Sequence, residues 1–98
     1  MDLELSGKRA WVSGGSRGIG KAIALELARE GVRVAISGRT AADLQTAAQD
    51  ISTAGAERPV VARGDTRSTA EVGAMADEIR RELGGIDILV NCAAKPGG

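Results

Sequence analysis

The strongest chemical signal in the chain is the run Ser13-Gly14-Gly15-Ser16-Arg17-Gly18-Ile19-Gly20. Glycines at the Gly14-x-x-x-Gly18-x-Gly20 spacing suit a backbone that must turn tightly and come close to a phosphate. Gly14 permits the turn, Gly18 lets the chain approach a pyrophosphate, and Gly20 lets the following helix pack close to the strand. A helix starting here presents unpaired N–H groups and a partial positive charge to that pyrophosphate. Ser16, Arg17 and Ile19 complete the candidate phosphate loop. The spacing differs from the Gly-x-Gly-x-x-Gly of the general dinucleotide fingerprint. A glycine-rich loop of purely structural use would look the same in isolation. Its context favours nucleotide binding: a strand before it, a helix after it, and strand–helix units in series.

The second constellation is Ile36-Ser37-Gly38-Arg39-Thr40, at the end of the next strand-like stretch. A site selecting NAD(H) usually carries Asp or Glu there, to accept hydrogen bonds from the ribose 2′-hydroxyl. This stretch has no acid. Arg39 instead offers a permanent charge and a fork of donors suited to a 2′-phosphate. Arg17 can approach the same group, and Ser37 and Thr40 can add hydroxyl donors. The charge logic favours NADP(H) over NAD(H). A plainer reading leaves Arg39 solvated and Thr40 as a helix cap. Asp65 and Thr66 follow the third strand-like stretch, and Asn91, Cys92 and Ala93 the fourth. Open parallel sheets bind ligands at such positions, although Gly-Asp is also a common turn pair.

The elements that must position these residues can be read from periodicity. Arg9 to Ser13 reads as a short buried strand, followed by the glycine turn at 14–20. Ile19, Ile23 and Leu27 then recur at four-residue spacing, as on one face of a helix, and Gly31 is a plausible C-cap. Val32 to Ser37 reads as the second strand. Thr40 can cap the second helix, with Asp43 completing an approximate capping box. Leu44, Ala47, Ala48 and Ile51 form its apolar face, and Gly55 closes it. Pro59 to Ala62 reads as the third strand. Ser68 and Glu71 form a Ser-x-x-Glu box before a third helix, whose buried stripe is Val72, Met75, Ile79 and Leu83 and whose stop is Gly84-Gly85. Ile86 to Val90 reads as the fourth strand, and Asn91 opens the final loop.

Strands alternating with helices imply an α/β fold with a parallel sheet and right-handed crossovers. The expected architecture is Rossmann-type, β-α-β-α-β-α-β, with strand order 3-2-1-4 and helices on both faces. It is incomplete after the fourth strand, which would otherwise be a long apolar edge. Residues 1–98 are therefore expected to be the N-terminal half of one dinucleotide-binding domain, with no second domain.

Composition narrows the function. Lys plus Arg and Asp plus Glu are both 13, so the formal net charge is zero, which gives no support to nucleic-acid or polybasic membrane binding. There is no His, Tyr or Phe, which removes the usual acid–base residues His and Tyr and any His-based metal site. A single cysteine suits a reducing compartment. No apolar run is long enough to span a bilayer, and the N-terminus lacks a secretory pattern, so a cytoplasmic location is expected. Trp11 reads as core packing, and Glu78 to Glu82 as a solvated helix face.

These motifs together resemble the short-chain dehydrogenase/reductase family. The likeness rests on Gly14-x-x-x-Gly18-x-Gly20 after a strand ending in a hydroxyl residue, and on Asp65 after the third strand. It rests also on Asp87-Ile88-Leu89-Val90-Asn91-Cys92-Ala93-Ala94 at the fourth. It runs from Gly7 to Ala94. The resemblance implies hydride transfer between NADP(H) and a small-molecule alcohol or carbonyl, in a protein that is a homo-oligomer when full length. It implies that Asp65 meets the adenine amino group, that the Thr66 backbone meets the ring, and that Asn91, Cys92 and Ala93 lie by the nicotinamide-side ribose. The sequence departs from the family in three places: Ser13 stands for the usual Thr, Cys92 for an Asn, and Ala94 for a Gly. The family's Tyr-x-x-x-Lys lies downstream of the motif at Asn91. This chain has no Tyr, and Lys95 belongs to no such motif. No catalytic or metal-ligating residue is therefore assigned, and the chain alone is expected to be inactive. The competing expectation is a truncated, non-catalytic nucleotide-binding or interaction module. A reading frame continuing to a Tyr-x-x-x-Lys would separate the two.

Overall fold

The computed structural model describes residues 5–54 and 56–92. Its elements are β1 (Arg9–Ser13), α1 (Gly18–Arg29), β2 (Arg33–Gly38), α2 (Ala41–Thr53), β3 (Val60–Arg63), α3 (Thr69–Leu83) and β4 (Ile88–Asn91). The strands form one parallel sheet in the order β3-β2-β1-β4, the Rossmann-type order expected. Ser13 stands opposite Ser37 on one side and Asn91 on the other, and Gly38 stands opposite Arg63. The carboxyl ends of all four strands therefore share one rim.

Alternation along the strands explains the two cores. Ala10, Val12, Val34 and Ile36 point to one face and pack with Ala24 of α1 and Leu44, Ala47, Ala48 and Ile51 of α2. Trp11, Ala35 and Ala62 point to the other and pack with Met75, Ile79 and Leu83 of α3. A parallel sheet covered on both faces needs such runs with no polar face.

The apolar stripe of α1 is not the expected one. Ile19 is 76% exposed, and the residues buried against the sheet are Gly20 and Ala24. Small residues let the helix lie close: a Cβ added at Gly20 would stand 2.2 Å from the Gly14 carbonyl oxygen. Ile23 and Leu27 are half-buried, and of the expected stripe Leu27 does pack against this core, beside Leu25 and Ala28.

Strand limits also shift. Pro59, which has no N–H to give a ladder, lies outside β3. Asn91 belongs to β4, where it pairs with Ser13. Asp87 precedes β4 because it is engaged with Arg9. Its carboxylate accepts from the Arg9 backbone N–H (2.9 Å) and Nε (3.0 Å), and Arg9 Nη1 reaches the Gly84 carbonyl (2.8 Å). The hydrogen bond from the Arg9 side chain, with its charge, holds the Asp87 carboxyl below the ordinary carboxylate range.

The caps divide. Ser68 Oγ accepts from the Glu71 N–H, as expected, but the Glu71 carboxylate accepts from the Asp65 N–H (2.8 Å) instead of completing the box. Thr40 makes no side-chain cap bond, and Asp43 is drawn to Arg17. Gly84 ends α3 in the left-handed conformation. The stop expected at Gly55 lies outside the described residues.

β4 pairs with β1 and forms one end of the sheet, with Leu89 63% exposed. Such an edge offers unpaired N–H and C=O groups to another chain. Expressed as these 98 residues, the protein is expected to self-associate. A single monomeric species across the concentration range in analytical ultracentrifugation would contradict this.

Candidate functional site

The glycine loop is held from the neighbouring strand. The Gly14 and Gly15 N–H groups both donate to the Ser37 carbonyl, at 2.9 and 3.2 Å. Gly14 has φ +81°, a conformation open to glycine at no steric cost. Gly15 lies on the core: an added Cβ would stand 2.7 Å from Ile36 Cγ2. Gly18 differs. Its φ is +53°, and an added Cβ would meet nothing within 4 Å. Gly15 and Gly20 thus accommodate the protein itself, whereas Gly18 borders open space.

That space adjoins the start of α1. Gly18, Ile19 and Gly20 precede Lys21, whose N–H makes the bond to the Arg17 carbonyl (3.2 Å). Arg17 gives no side-chain cap, and the first turn carries no acid. Donors and the positive end of the helix dipole are left to whatever occupies the space. A pyrophosphate fits that donor set.

Ser16 packs over the end of β2, where its Oγ stands 3.2 Å from the place a Cβ at Gly38 would take. Arg39, the next residue, is exposed, and among the described residues its side chain makes no hydrogen bond or ion pair. Its carbonyl accepts from Arg63 Nε (3.0 Å). Thr40 is exposed beside it. Arg17 is held to Asp43, with Nε and Nη2 at 3.1 and 2.8 Å from Oδ2.

Ser37 requires a correction. Its side chain was expected to offer a donor to a 2′-phosphate, yet the residue is 0% exposed and its Oγ accepts the Trp11 indole N–H at 2.8 Å. Parity is the cause, because Ser37 shares the Ala35 face of β2 and is turned into the α3 layer.

Asp65 sits at the same rim, and both of its carboxylate oxygens are engaged by Arg67 (Nη2 to Oδ2, 2.8 Å). The side-chain hydrogen bond from Arg67 chiefly lowers its pKa to about 2, and the charge of Arg39 adds a smaller share. The carboxylate is an acceptor at any working pH, and a base ring approaching it must share it with Arg67. The folded pKa is depressed, so the contribution to stability is present above about 3.9 and is lost as pH falls through about 2. Arg67→Ala is expected to return the Asp65 titration midpoint toward the ordinary carboxylate value. Carboxyl carbon NMR shifts followed against pH check this, and an unmoved midpoint would remove Arg67 as the cause. Thr66 follows, exposed.

At β4, the Cys92 N–H donates to the Ser13 carbonyl (2.7 Å), and Cys92 Cβ stands 3.2 Å from the place a Cβ at Gly20 would take. Cys92, a free thiol, thus borders the glycine loop. Asn91 lies beside Ser13, and Ala93 lies outside the described residues. The structure therefore brings the loop, the Arg39 segment, Asp65 and Cys92 to one rim. Sequence reasoning missed Gly15 and Gly38, whose close neighbours are the only signal, and the pairing of Arg17 with Asp43 across 26 residues.

A family model for the short chain dehydrogenases matches residues 8–97. The chain belongs to the short-chain dehydrogenase family. Hydroxynaphthalene reductase of Aspergillus fumigatus is 41% identical over 91% of the chain, and hydroxysteroid dehydrogenase-like protein 2 of Pongo abelii is 37% identical over 92%. The chain spans 33% and 23% of their lengths. Among solved structures, L-sorbose reductase from Gluconobacter frateurii, complexed with NADPH and L-sorbose, matches with a TM-score of 0.89 and 36% identity. That match covers 97% of this chain and 36% of that one. This short-chain dehydrogenase chain carries, among its described residues, a four-stranded parallel array with a glycine-rich first turn. Among its described residues, no helix is long and apolar enough to cross a membrane.

Proposed function

We propose that this chain forms the NADP(H)-binding part of an oxidoreductase that moves hydride between the nicotinamide and a small alcohol or carbonyl compound. The observation that carries the reading is Arg39. It is an exposed guanidinium with no side-chain partner among the described residues, at the carboxyl end of a strand where an NAD(H) site would place an acid. Arg17 supplies a second charge from the glycine loop, and Thr40 a hydroxyl. The open space over Gly18 and the start of α1 take the pyrophosphate. Asp65 and the Thr66 backbone serve the adenine, and Asn91 and Cys92 border the nicotinamide-side ribose.

The bound dinucleotide supplies the hydride chemistry. This chain's residues bind and orient it, and these 98 residues hold no Tyr or His to move the proton. The reading places the protein in the cytoplasm, as an oligomer. The relatives named as reductases support the reaction class, and the NADPH complex of L-sorbose reductase supports the cofactor. Separate titrations of the full-length protein with NADPH and NADH test it: tighter binding of NADPH is expected, and equal dissociation constants would end the preference.

Asp43 gives a sharper check. It competes with a 2′-phosphate for Arg17, through a pair in which the Arg17 side chain is 77% exposed. An exposed pair is worth about 0–1 kcal/mol, so Asp43→Ala should tighten NADPH binding by up to about fivefold. NADH binding should stay level. An equal change for both cofactors would place Arg17 away from the 2′-phosphate.

A further inference from the structure

We propose that Trp11 is a positioning residue for the dinucleotide loop, acting through a buried hydrogen bond to Ser37. The inference rests on the cofactor reading above and adds to it a control point on the opposite face of the sheet.

Three hydrogen bonds converge on Ser37. Its Oγ accepts the Trp11 indole N–H at 2.8 Å, and its carbonyl accepts the N–H groups of Gly14 and Gly15 at 2.9 and 3.2 Å. Ser37 is 0% and Trp11 6% exposed, so water does not compete for these bonds. Trp11 stands opposite Ala35 in the ladder, and its ring reaches diagonally to the residue two further along β2, a span open to aromatic side chains. The indole itself is packed among Ala35, Ala62, Met75, Ile79 and Leu83. A buried indole N–H needs an acceptor, and Ser37 Oγ is that acceptor.

The consequence is mechanical. The start of the phosphate loop hangs from the Ser37 carbonyl, and Arg39 follows two residues later on the same backbone. One side-chain bond therefore steadies both the loop and the segment that carries the guanidinium. It ties them to the α3 layer, on the face of the sheet opposite α1. Packing under α3 is thereby linked to the geometry of the site.

The test uses the full-length protein and the variants Ser37→Ala, Trp11→Phe and the double substitution. Trp11→Phe keeps most of the ring volume and removes the donor. Amide hydrogen exchange at Gly14 and Gly15 without cofactor, compared with Val34 lower in β2, reads the loop directly. Exchange at the two glycines is expected to speed up in each variant while Val34 stays protected. NADPH binding should weaken by about twofold to tenfold, the range of one ordinary hydrogen bond. The double variant should be no worse than the poorer single one, because both act through the same bond. Equal acceleration at all three amides would make the bond merely structural and overturn the proposal. So would glycine exchange and NADPH affinity that stay at wild-type values. If the glycine amides respond as expected but the wild type binds no NADPH, the cofactor reading fails and the positioning of the loop stands.

Discussion

Replacing Gly18 by valine is expected to weaken NADPH binding by about a hundredfold or more, a loss matching two charge-assisted hydrogen bonds at about 1.5–3 kcal/mol each. The position separates ligand from fold better than any other in the loop. An added Cβ at Gly18 meets no protein atom within 4 Å, so the substitution enters open space and not the core. It intrudes instead on the space at the start of α1 where the pyrophosphate must approach the backbone. The φ of +53° adds backbone strain of about 1–3 kcal/mol, which lowers the melting temperature without removing a core contact. Gly20→Ala makes the contrast. Its Cβ would stand 2.2 Å from the Gly14 carbonyl oxygen, so the loop itself must move and stability falls with binding. Calorimetric titration with NADPH, on variants shown by circular dichroism to be folded, decides the matter. Wild-type affinity in Gly18→Val would mean that this loop does not hold the phosphates.

Arg39→Asp should invert the cofactor preference. The guanidinium makes no hydrogen bond or ion pair among the described residues, so its removal breaks no direct contact, although its charge no longer helps to hold the Asp65 carboxyl low. One charge-assisted hydrogen bond to a 2′-phosphate is worth about 1.5–3 kcal/mol, a loss in NADPH affinity of about tenfold to a hundredfold. The new carboxylate also repels the phosphate and offers an acceptor to a ribose 2′-hydroxyl, so NADH binding should improve. The ratio of the two dissociation constants is the quantity to measure. A ratio that the substitution leaves unchanged would place Arg39 in solvent.

The strand–helix order was readable because β1 and β2 are buried on both faces, and burial writes itself into the sequence as apolar runs broken by glycine. Leu44, Ala47, Ala48 and Ile51 face the core as their spacing implies. The stripe of α1 was misread because the contact there is made by absence. Gly20 and Ala24 carry a weaker apolar signal than Ile19, which is large but lies on the exposed face. Ser37 was misassigned although parity along β2 held the answer: Val34 and Ile36 face one core, and Ala35 the other with Ser37. The hold of Asp43 on Arg17 and of Arg67 on Asp65 could not be read in the same way. Each residue type was noted for a role of its own, as cap or ligand, and only three-dimensional closeness sets the two in competition.

The clasp between Arg9 and Asp87 has a consequence for the order of events at the ribosome. It joins residues 78 apart, and the strand that holds Arg9 is central in the sheet. At synthesis rates of about 5–20 residues per second, Asp87 is made about 4–16 s after Arg9. During that interval β1 can pair with β2 on one side only. Its other flank, which includes Trp11 and Val12, waits for β4 to arrive. A nascent chain stalled before Asp87 would carry an open central strand, the kind of intermediate that chaperones guard.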